Sequence, residues 1–368
     1  MNVLSLFDGM SCCRLALEKL DVSVEKYYAS EIDKYAIEVT QANYPDTKQL
    51  GDVTAWQTWE LDWASIDLVT GGFPCQAWSL AGKQLGDKDE RGKLFWTMLD
   101  VMAKVMEHNP KAFYLMENVK MKKEFEQYIT HHTEQALPNV YKYLINSALV
   151  SAQSRQRYYW TNIPGVEQPE DKGVVLRDVL EEDPGDSFNL APAKVDRVLN
   201  QARGKGFFYN EDSPKIGTVI AGYHKEPTDG SYIVSGAAFR GRAYDKCGKR
   251  MDRDGDSVAN KTKQMLELRQ DRKSNAITTV YKDSVVVSEI REKSKTVRSG
   301  GRDSYDRHEW DSVDELHWRK LTPLECERLQ TVPDNYTNHV SNTQRYKMLG
   351  KGWTVDVIAH ILNNMEKI

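Results

Sequence analysis

The sequence predicts an α/β fold, a doubly wound, mostly parallel sheet with helices on both faces and a second, smaller irregular domain set into it. Three observations predict it. Short apolar runs alternate with amphipathic stretches through the first 160 residues, the order that gives parallel strands joined by crossover helices. Between residues 165 and 315 that alternation stops, and Gly, Asp, Lys and Ser dominate. From Arg319 helical patterning returns.

Each element follows from its residues. Residues 3–7, Val-Leu-Ser-Leu-Phe, form an apolar run closed by the turn signal Asp8-Gly9. An amphipathic stretch follows over residues 14–20. Residues 27–30 are a second strand and residues 33–43 a second helix. Residues 67–72 and 112–116 are further strands, each followed by a helical stretch. In such sheets ligands sit at the carboxyl ends of the strands, and Asp8, Glu31, Pro74-Cys75 and Glu117 fall there. Residues 165–315 hold only short strand-like runs, among them 216–220 and 284–287. Thr322-Pro323-Leu324-Glu325 reads as a capping box with proline at the first helical position. A last helix is expected over residues 354–365, with Val355, Ile358, Ala359 and Leu362 on one face.

A chain of 368 residues exceeds what one core usually supports. The expected division is 1–164, 165–315 and 316–368, the last segment completing the first domain. The composition, 40% hydrophobic and 28% charged, is that of a soluble globular protein. No apolar run is long enough to span a bilayer, and the opening MNVLSLFDGM lacks signal-peptide features. The expectation is a cytoplasmic protein with no membrane association. Five cysteines without a CxxC pair suit a reducing compartment, and no metal is implied. The net charge is −4, yet residues 200–308 carry 22 Lys and Arg against 15 Asp and Glu. That local excess of +7 leaves −11 for the rest. A basic segment in an acidic chain suits DNA phosphates, and it also suits a solvated surface.

Several motifs carry chemistry. Phe7-Asp8-Gly9-Met10-Ser11-Cys12 lies where a strand turns into a helix, and its small residues let the backbone approach a ligand. Glu31, about 20 residues on, is placed to bind ribose hydroxyls, and Asp52 is placed to accept from an adenine amino group. Cys75, in Gly72-Phe73-Pro74-Cys75-Gln76, is held at a strand end as a candidate nucleophile. Glu117 begins Glu117-Asn118-Val119 after the next strand and suits proton transfer beside Cys75. Arg155 and Arg157 alternate in Gln153-Ser154-Arg155-Gln156-Arg157, which on a strand points both side chains one way, toward a base and its phosphate. Each pattern alone also suits a structural role, and the first loop alone also suits a dinucleotide oxidoreductase.

Their joint order is more specific. FDGMS, ASEID, GDV, GGFPCQ, ENV, QSRQR, TPLECERLQ and GKGWTV resemble the motif set of cytosine-5 DNA methyltransferases of bacterial or phage type, over residues 1–163 and 319–368. The resemblance implies a Rossmann-like, S-adenosylmethionine-dependent fold, with residues 165–315 as a target-recognition domain. It implies S-adenosyl-L-methionine as cofactor and double-stranded DNA as partner. Cys75 would attack C6 of a flipped cytosine, Glu117 would hold the N3 and amino edge, and Arg155 and Arg157 would support the base. Cofactor contacts would come from Phe7, Asp8, Gly9, Met10, Ser11, Cys12, Glu31, Ile32, Asp52, Val53, Pro74 and Leu94, with Lys351, Gly352 and Trp353 closing the site. The segment Gln76 to Lys93 resembles the family's mobile loop that closes over DNA, and Ser79, Lys83 and Arg91 would hold phosphates there. Arg240, Arg242, Asn275 and Thr279 are candidates for base readout. A monomer is expected for one target base, with a companion restriction endonuclease possible.

Two departures stand out. Ser11-Cys12-Cys13 replaces a second glycine common in the family. Lys351 stands where the bacterial pattern has Asn, and it resembles, together with Trp353, the animal de novo branch. A lysine there could favour a carboxylated S-adenosylmethionine donor by ion pairing. Three alternatives remain open at this stage: that donor, the same chemistry on tRNA, and a catalytically silent sequence-specific DNA-binding protein.

Overall fold

The computed structural model describes residues 1–74, 78, 90–182, 184–188, 207–209, 214–219, 221, 231–233, 236–242, 263–268, 285–286 and 319–367. The chain divides into two compact units. The first holds Met1–Val174, Gly217–Lys225 and Pro323–Ile368; the second holds Val175–Ile216 and Glu226–Thr322. The return of Gly217–Lys225 to the first unit is not signalled in the sequence.

The first unit is built on a seven-stranded sheet in the order β3-β2-β1-β4-β5-β7-β6. Its strands are β1 (Asn2–Leu6), β2 (Lys26–Ser30), β3 (Lys48–Gln49), β4 (Leu68–Gly71), β5 (Phe113–Val119), β6 (Tyr141–Asn146) and β7 (Gln156–Thr161). Pairing from β3 through β5 is parallel, whereas β7 runs antiparallel to both neighbours. The sheet is therefore mixed at one end. β1 and β4 are buried on both faces, as central strands covered by helices must be. Between them the strand order reverses, which opens a crevice at their carboxyl ends.

Register sets what meets at that crevice. Leu6 pairs with Ser30 and with Gly71, and Gly71 pairs with Met116. Phe7, Glu31, Gly72 and Glu117 thus stand in one row, one step further along four neighbouring strands.

The helices follow their apolar spacing. α1 (Cys12–Lys19) buries Cys12, Cys13, Leu15, Ala16 and Leu17. α2 (Lys34–Asn43) starts at Asp33, whose carboxylate accepts from Tyr35 N, a side-chain N-cap. α3 (Glu90–His108) buries Phe95, Met98, Leu99, Met102 and Val105, the i, i+3, i+4, i+7 stripe of a helix lying on a sheet. Each such side chain contributes about 1.5–3 kcal/mol when fully buried. α4 (Lys123–Ala136) buries Ile129 and Thr133.

The chain end supplies α5 (Pro323–Leu329), α6 (Asn342–Lys351) and α7 (Val355–Leu362). Proline opens α5, as the sequence predicts, while the Thr322 hydroxyl donates to Glu181. α7 is buried on more than the expected face, since Val357 and Ile361 are inside as well. It packs on α1, and Asp356 at its start joins Lys19 at 2.5 Å and Lys172 at 2.7 Å. Both ends of the sequence therefore build the same unit. No helix among the described residues is long and apolar enough to cross a membrane.

The second unit shows two three-stranded sheets. One is ordered β11-β10-β12, from β10 (Gly236–Arg242), β11 (Lys263–Leu268) and β12 (Val285–Val286). The other is ordered β13-β9-β8, from β8 (Phe207–Tyr209), β9 (Ser231–Ile233) and β13 (Arg319–Lys320). The described elements of this unit are thus short strands and two single 3₁₀ turns, Leu176–Asp178 and Asp186–Phe188, in line with its irregular composition.

Candidate active site

The loop after β1 is held in an unusual backbone path. Phe7, Gly9 and Ser11 have φ of 54°, 60° and 60°, a left-handed region that costs non-glycine residues energy unless other contacts fix it. Those contacts are present. Asp8 accepts from Ser11 Oγ at 2.6 Å and from Tyr27 OH at 2.8 Å, and its own N–H donates to Ser30 O at 3.2 Å. Burial pushes the Asp8 carboxyl up to about 6, against the downward pull of its hydroxyl partners. The sequence suggested Asp8 as a cofactor contact; its two carboxylate oxygens are taken up in shaping the loop.

Glu31, at the end of β2, accepts Gly9 N–H on Oε2 and the N–H groups of Ile32 and Asp33 on Oε1, each at 2.8 Å. It thereby ties the loop after β1 to the start of α2. Ile32 beside it is 74% exposed, a large apolar side chain open to a planar ligand. Asp52 caps the 3₁₀ turn that begins at Val53, taking Thr54 N and Oγ1 on its Oδ1 at 2.9 Å. Its Oδ2 has no hydrogen-bond partner among the described residues. An exposed apolar side chain at Ile32 with the carboxylates of Glu31 and Asp52 nearby along the same sheet edge fits an adenosyl group carrying hydroxyl and amino donors. Leu94 packs against the core on α3, and Pro74 is half-buried after β4.

The far end of the chain closes on this loop. Tyr336 OH donates to Met10 O at 2.7 Å. A β-carbon on Gly352 would lie 2.8 Å from Met10 Cε and 3.1 Å from Met348 O, so glycine allows the approach. Lys351 is exposed, with its Nζ 3.8 Å from Asp33 Oδ2.

The row at the strand ends leads to a second cluster. Glu117 is buried, with Oε1 3.0 Å from Arg157 Nε and Oε2 accepting from Trp353 Nε1 at 3.0 Å. Burial pushes its carboxyl above the usual carboxylate range, opposed by Arg157, Arg155 and the indole N–H. Gly72 sits against this group, since a β-carbon there would lie 3.0 Å from Trp353 Nε1 and 3.2 Å from Glu117 Oε2. Asn118, next to Glu117, donates to Phe73 O at 3.0 Å. The segment that leads to Cys75 is thereby held beside Glu117 through Phe73.

Arg155 does not share the place of Arg157. The expectation of one shared direction assumed a strand, but β7 begins at Gln156 and Arg155 precedes it. Its buried guanidinium donates to Val219 O at 3.3 Å, Gly350 O at 3.3 Å and Gly352 O at 2.9 Å. Gln153, two residues earlier, accepts Val219 N–H at 2.7 Å and donates to Leu329 O at 3.1 Å. Gln153 and Arg155 thus anchor returning chain segments, while both guanidiniums act electrostatically on the Glu117 carboxyl and Arg157 Nε lies 3.0 Å from it.

Burial pushes the thiols of Cys12 and Cys13 up to about 12, and that of Cys326 well above its ordinary value. In all three described cysteines burial disfavours the thiolate, the form in which a cysteine acts as a nucleophile. Cys75, Ser79, Lys83, Asn275 and Thr279 lie outside the described residues; Arg91 is placed only as a position on α3, and Arg240 and Arg242 only as positions on β10. The sequence reading passed over Asn118, although it follows the acid directly, and Tyr336, which carries no local signal. It assigned Trp353 to the cofactor rather than to Glu117.

Comparison with known proteins identifies the family. The model of the C-5 cytosine-specific DNA methylase family matches residues 1–367. Type II methyltransferase M1.ScrFI of Lactococcus lactis subsp. cremoris is 28% identical over all of this chain and 78% of its own length. Type II methyltransferase M.HhaI of Haemophilus parahaemolyticus is 28% identical over 99% of this chain and 94% of its own. Among solved structures, the methyltransferase EhMeth of Entamoeba histolytica aligns with a TM-score of 0.64 at 14% identity, over 100% of this chain and 98% of that one. A mutant of DNMT2 from Spodoptera frugiperda aligns at 0.61 and 20%, over 99% of each chain. The structural likenesses are of fold.

Proposed function

Since the chain belongs to the C-5 cytosine-specific DNA methylase family, we propose that it methylates C5 of a cytosine turned out of duplex DNA within one short sequence, through a covalent bond from Cys75 to C6. S-adenosylmethionine, when bound, supplies an electrophilic methyl group on a sulfonium. The protein supplies the rest. The Cys75 thiolate adds to C6, and the C5–C6 π electrons make C5 the nucleophile. After C5 takes the methyl group, loss of the C5 proton to a base restores the double bond and expels the thiolate. C6 is shielded by stacking in a duplex, so the base must leave the helix.

Glu117 is assigned to the N3 and amino edge of that base. A partly desolvated carboxyl exchanges a proton with a ring nitrogen more readily than an exposed one does. Arg157 steadies it. Arg155 acts at one remove, by fixing Gly350 and Gly352. Glu31, Ile32 and Asp52 are assigned to the adenosyl group. Ser79, Lys83 and Arg91 are assigned to DNA phosphates, and Arg240, Arg242, Asn275 and Thr279 to base readout. We expect a monomer, and a restriction endonuclease as genetic companion. The supporting observation is the row Phe7, Glu31, Gly72 and Glu117, which sets the donor loop, the approach to Cys75 and the acid side by side.

The test is incubation with mixed-sequence duplex DNA and labelled S-adenosylmethionine, followed by mapping of modified bases. Methyl on C5 of cytosine in one short motif, absent with Cys75→Ala, is the expected result. Label on tRNA and none on duplex DNA would overturn it.

Lys351 favours one variant of this reading. Its ammonium stands next to Gly352 with Asp33 at ion-pair distance, so a donor carboxylate there would meet a cation already in place. A carboxylated donor would leave a carboxymethyl group on C5. Turnover measured with both donors decides this, and an equal ratio of the two in wild type and Lys351→Asn ends the variant reading.

A further inference from the structure

We propose that Trp353 is a positioning residue for Glu117, fixing through its indole N–H the carboxylate that works on the base. This rests on the role assigned to Glu117 above. The indole Nε1 lies 3.0 Å from Glu117 Oε2, while Arg157 Nε lies 3.0 Å from Oε1. Each oxygen therefore has its own donor, and the plane of the carboxylate is set from two sides.

The indole is itself held. On one side of Trp353, Gly352 O accepts from Arg155 Nη2 at 2.9 Å. On the other side, Thr354 Oγ1 bonds Ser147 Oγ at 2.8 Å and Gln330 Oε1 at 2.9 Å. Gly72 packs against the indole edge so closely that a β-carbon would reach Nε1 at 3.0 Å. A side chain clamped this way places its N–H without spending much rotational freedom.

The electrostatic consequence has a definite sign. Burial favours the neutral acid, and each N–H donor favours the carboxylate. Without the indole N–H, Oε2 of a buried group is left without that donor, and the proton is held to higher pH. Trp353 thus keeps Glu117 available as an acceptor for the exocyclic amine of the base.

Trp353→Phe keeps an aromatic ring and removes the N–H. Methyl transfer is measured against pH for wild type, Trp353→Phe and Glu117→Gln, with KM for S-adenosylmethionine alongside. In Trp353→Phe, kcat is expected to fall about tenfold, in keeping with a hydrogen bond to a charged group. The limb that Glu117 governs moves to higher pH. In a Glu117→Gln background the same change adds no further loss, because the pair acts as a unit. A second variant, Trp353→His, restores a ring N–H and moves the limb less than Phe does. An unmoved limb, an effect confined to KM, or additive losses would overturn the proposal. Wild-type turnover in Glu117→Gln would instead overturn the role of Glu117 on which it rests.

Discussion

Removing the Arg345 guanidinium probes how the chain end supports the cofactor loop. Glu327 is fully buried, and Oε1 accepts from Arg345 Nη2 at 2.9 Å, from Thr337 N at 2.9 Å and from the Thr337 hydroxyl. Its Oε2 accepts from Asn335 N at 2.7 Å. Arg345 Nε also donates to Thr337 Oγ1 at 2.9 Å. Arg345→Met keeps most of the aliphatic stem but strands a buried anion with neutral donors only. Breaking a buried pair from one side costs about 3–5 kcal/mol. The loss should appear in urea unfolding as a lower midpoint. Tyr336 lies between Asn335 and Thr337 and holds Met10 O, so S-adenosylmethionine affinity should fall with it. In the double variant Glu327→Gln/Arg345→Met no buried charge is left alone, and part of the stability returns. A loss below about 1 kcal/mol, the range of a surface pair, or a double variant no better than the single one, would refute this reasoning.

Two further outcomes follow from the site. The Asp8 carboxyl is raised from 3.8 to about 6, so between those values the native state binds more protons than the unfolded chain. Its contribution is full below pH 4 and is lost as pH rises through 6, about 3 kcal/mol in all; the Tm of wild type relative to Asp8→Asn should fall across that window, and a constant difference would contradict it. Gly72→Ala pushes on both Trp353 and Glu117, and kcat should drop about ten- to hundredfold with little change in Tm; unchanged kcat would mean that the contact does not matter.

The fold was legible wherever local pattern determines it. The apolar run at residues 3–7 became β1, Asp33 became a helix cap, and Pro323 opened α5. Strand direction was not legible, because alternation looks the same either way, and β7 proved antiparallel. The motif positions fell on one row because register, not sequence distance, aligns strand ends. What the sequence could not show were bonds between remote segments. Trp353 and Glu117 are 236 residues apart, and Arg155 reaches Gly352 across 197. Arg155 and Arg157 look equivalent in QSRQR, yet Arg155 lies before β7 and bonds the carbonyls of Val219, Gly350 and Gly352, whereas Arg157 lies on β7 with its Nε 3.0 Å from Glu117. Likewise, residues 217–219 join the first unit through Gln153 and Arg155, a contact without local signature.

The covalent step is tested most directly with duplex DNA carrying 5-fluorocytosine at the mapped target. Fluorine in place of the C5 hydrogen cannot leave as a proton, so elimination of the thiolate is blocked after methyl transfer. A denaturation-resistant complex of protein and DNA should form with wild type in the presence of S-adenosylmethionine and not with Cys75→Ala. A complex that survives in Cys75→Ala, or its absence in wild type that methylates the unmodified site, would contradict the assignment of Cys75 as the nucleophile.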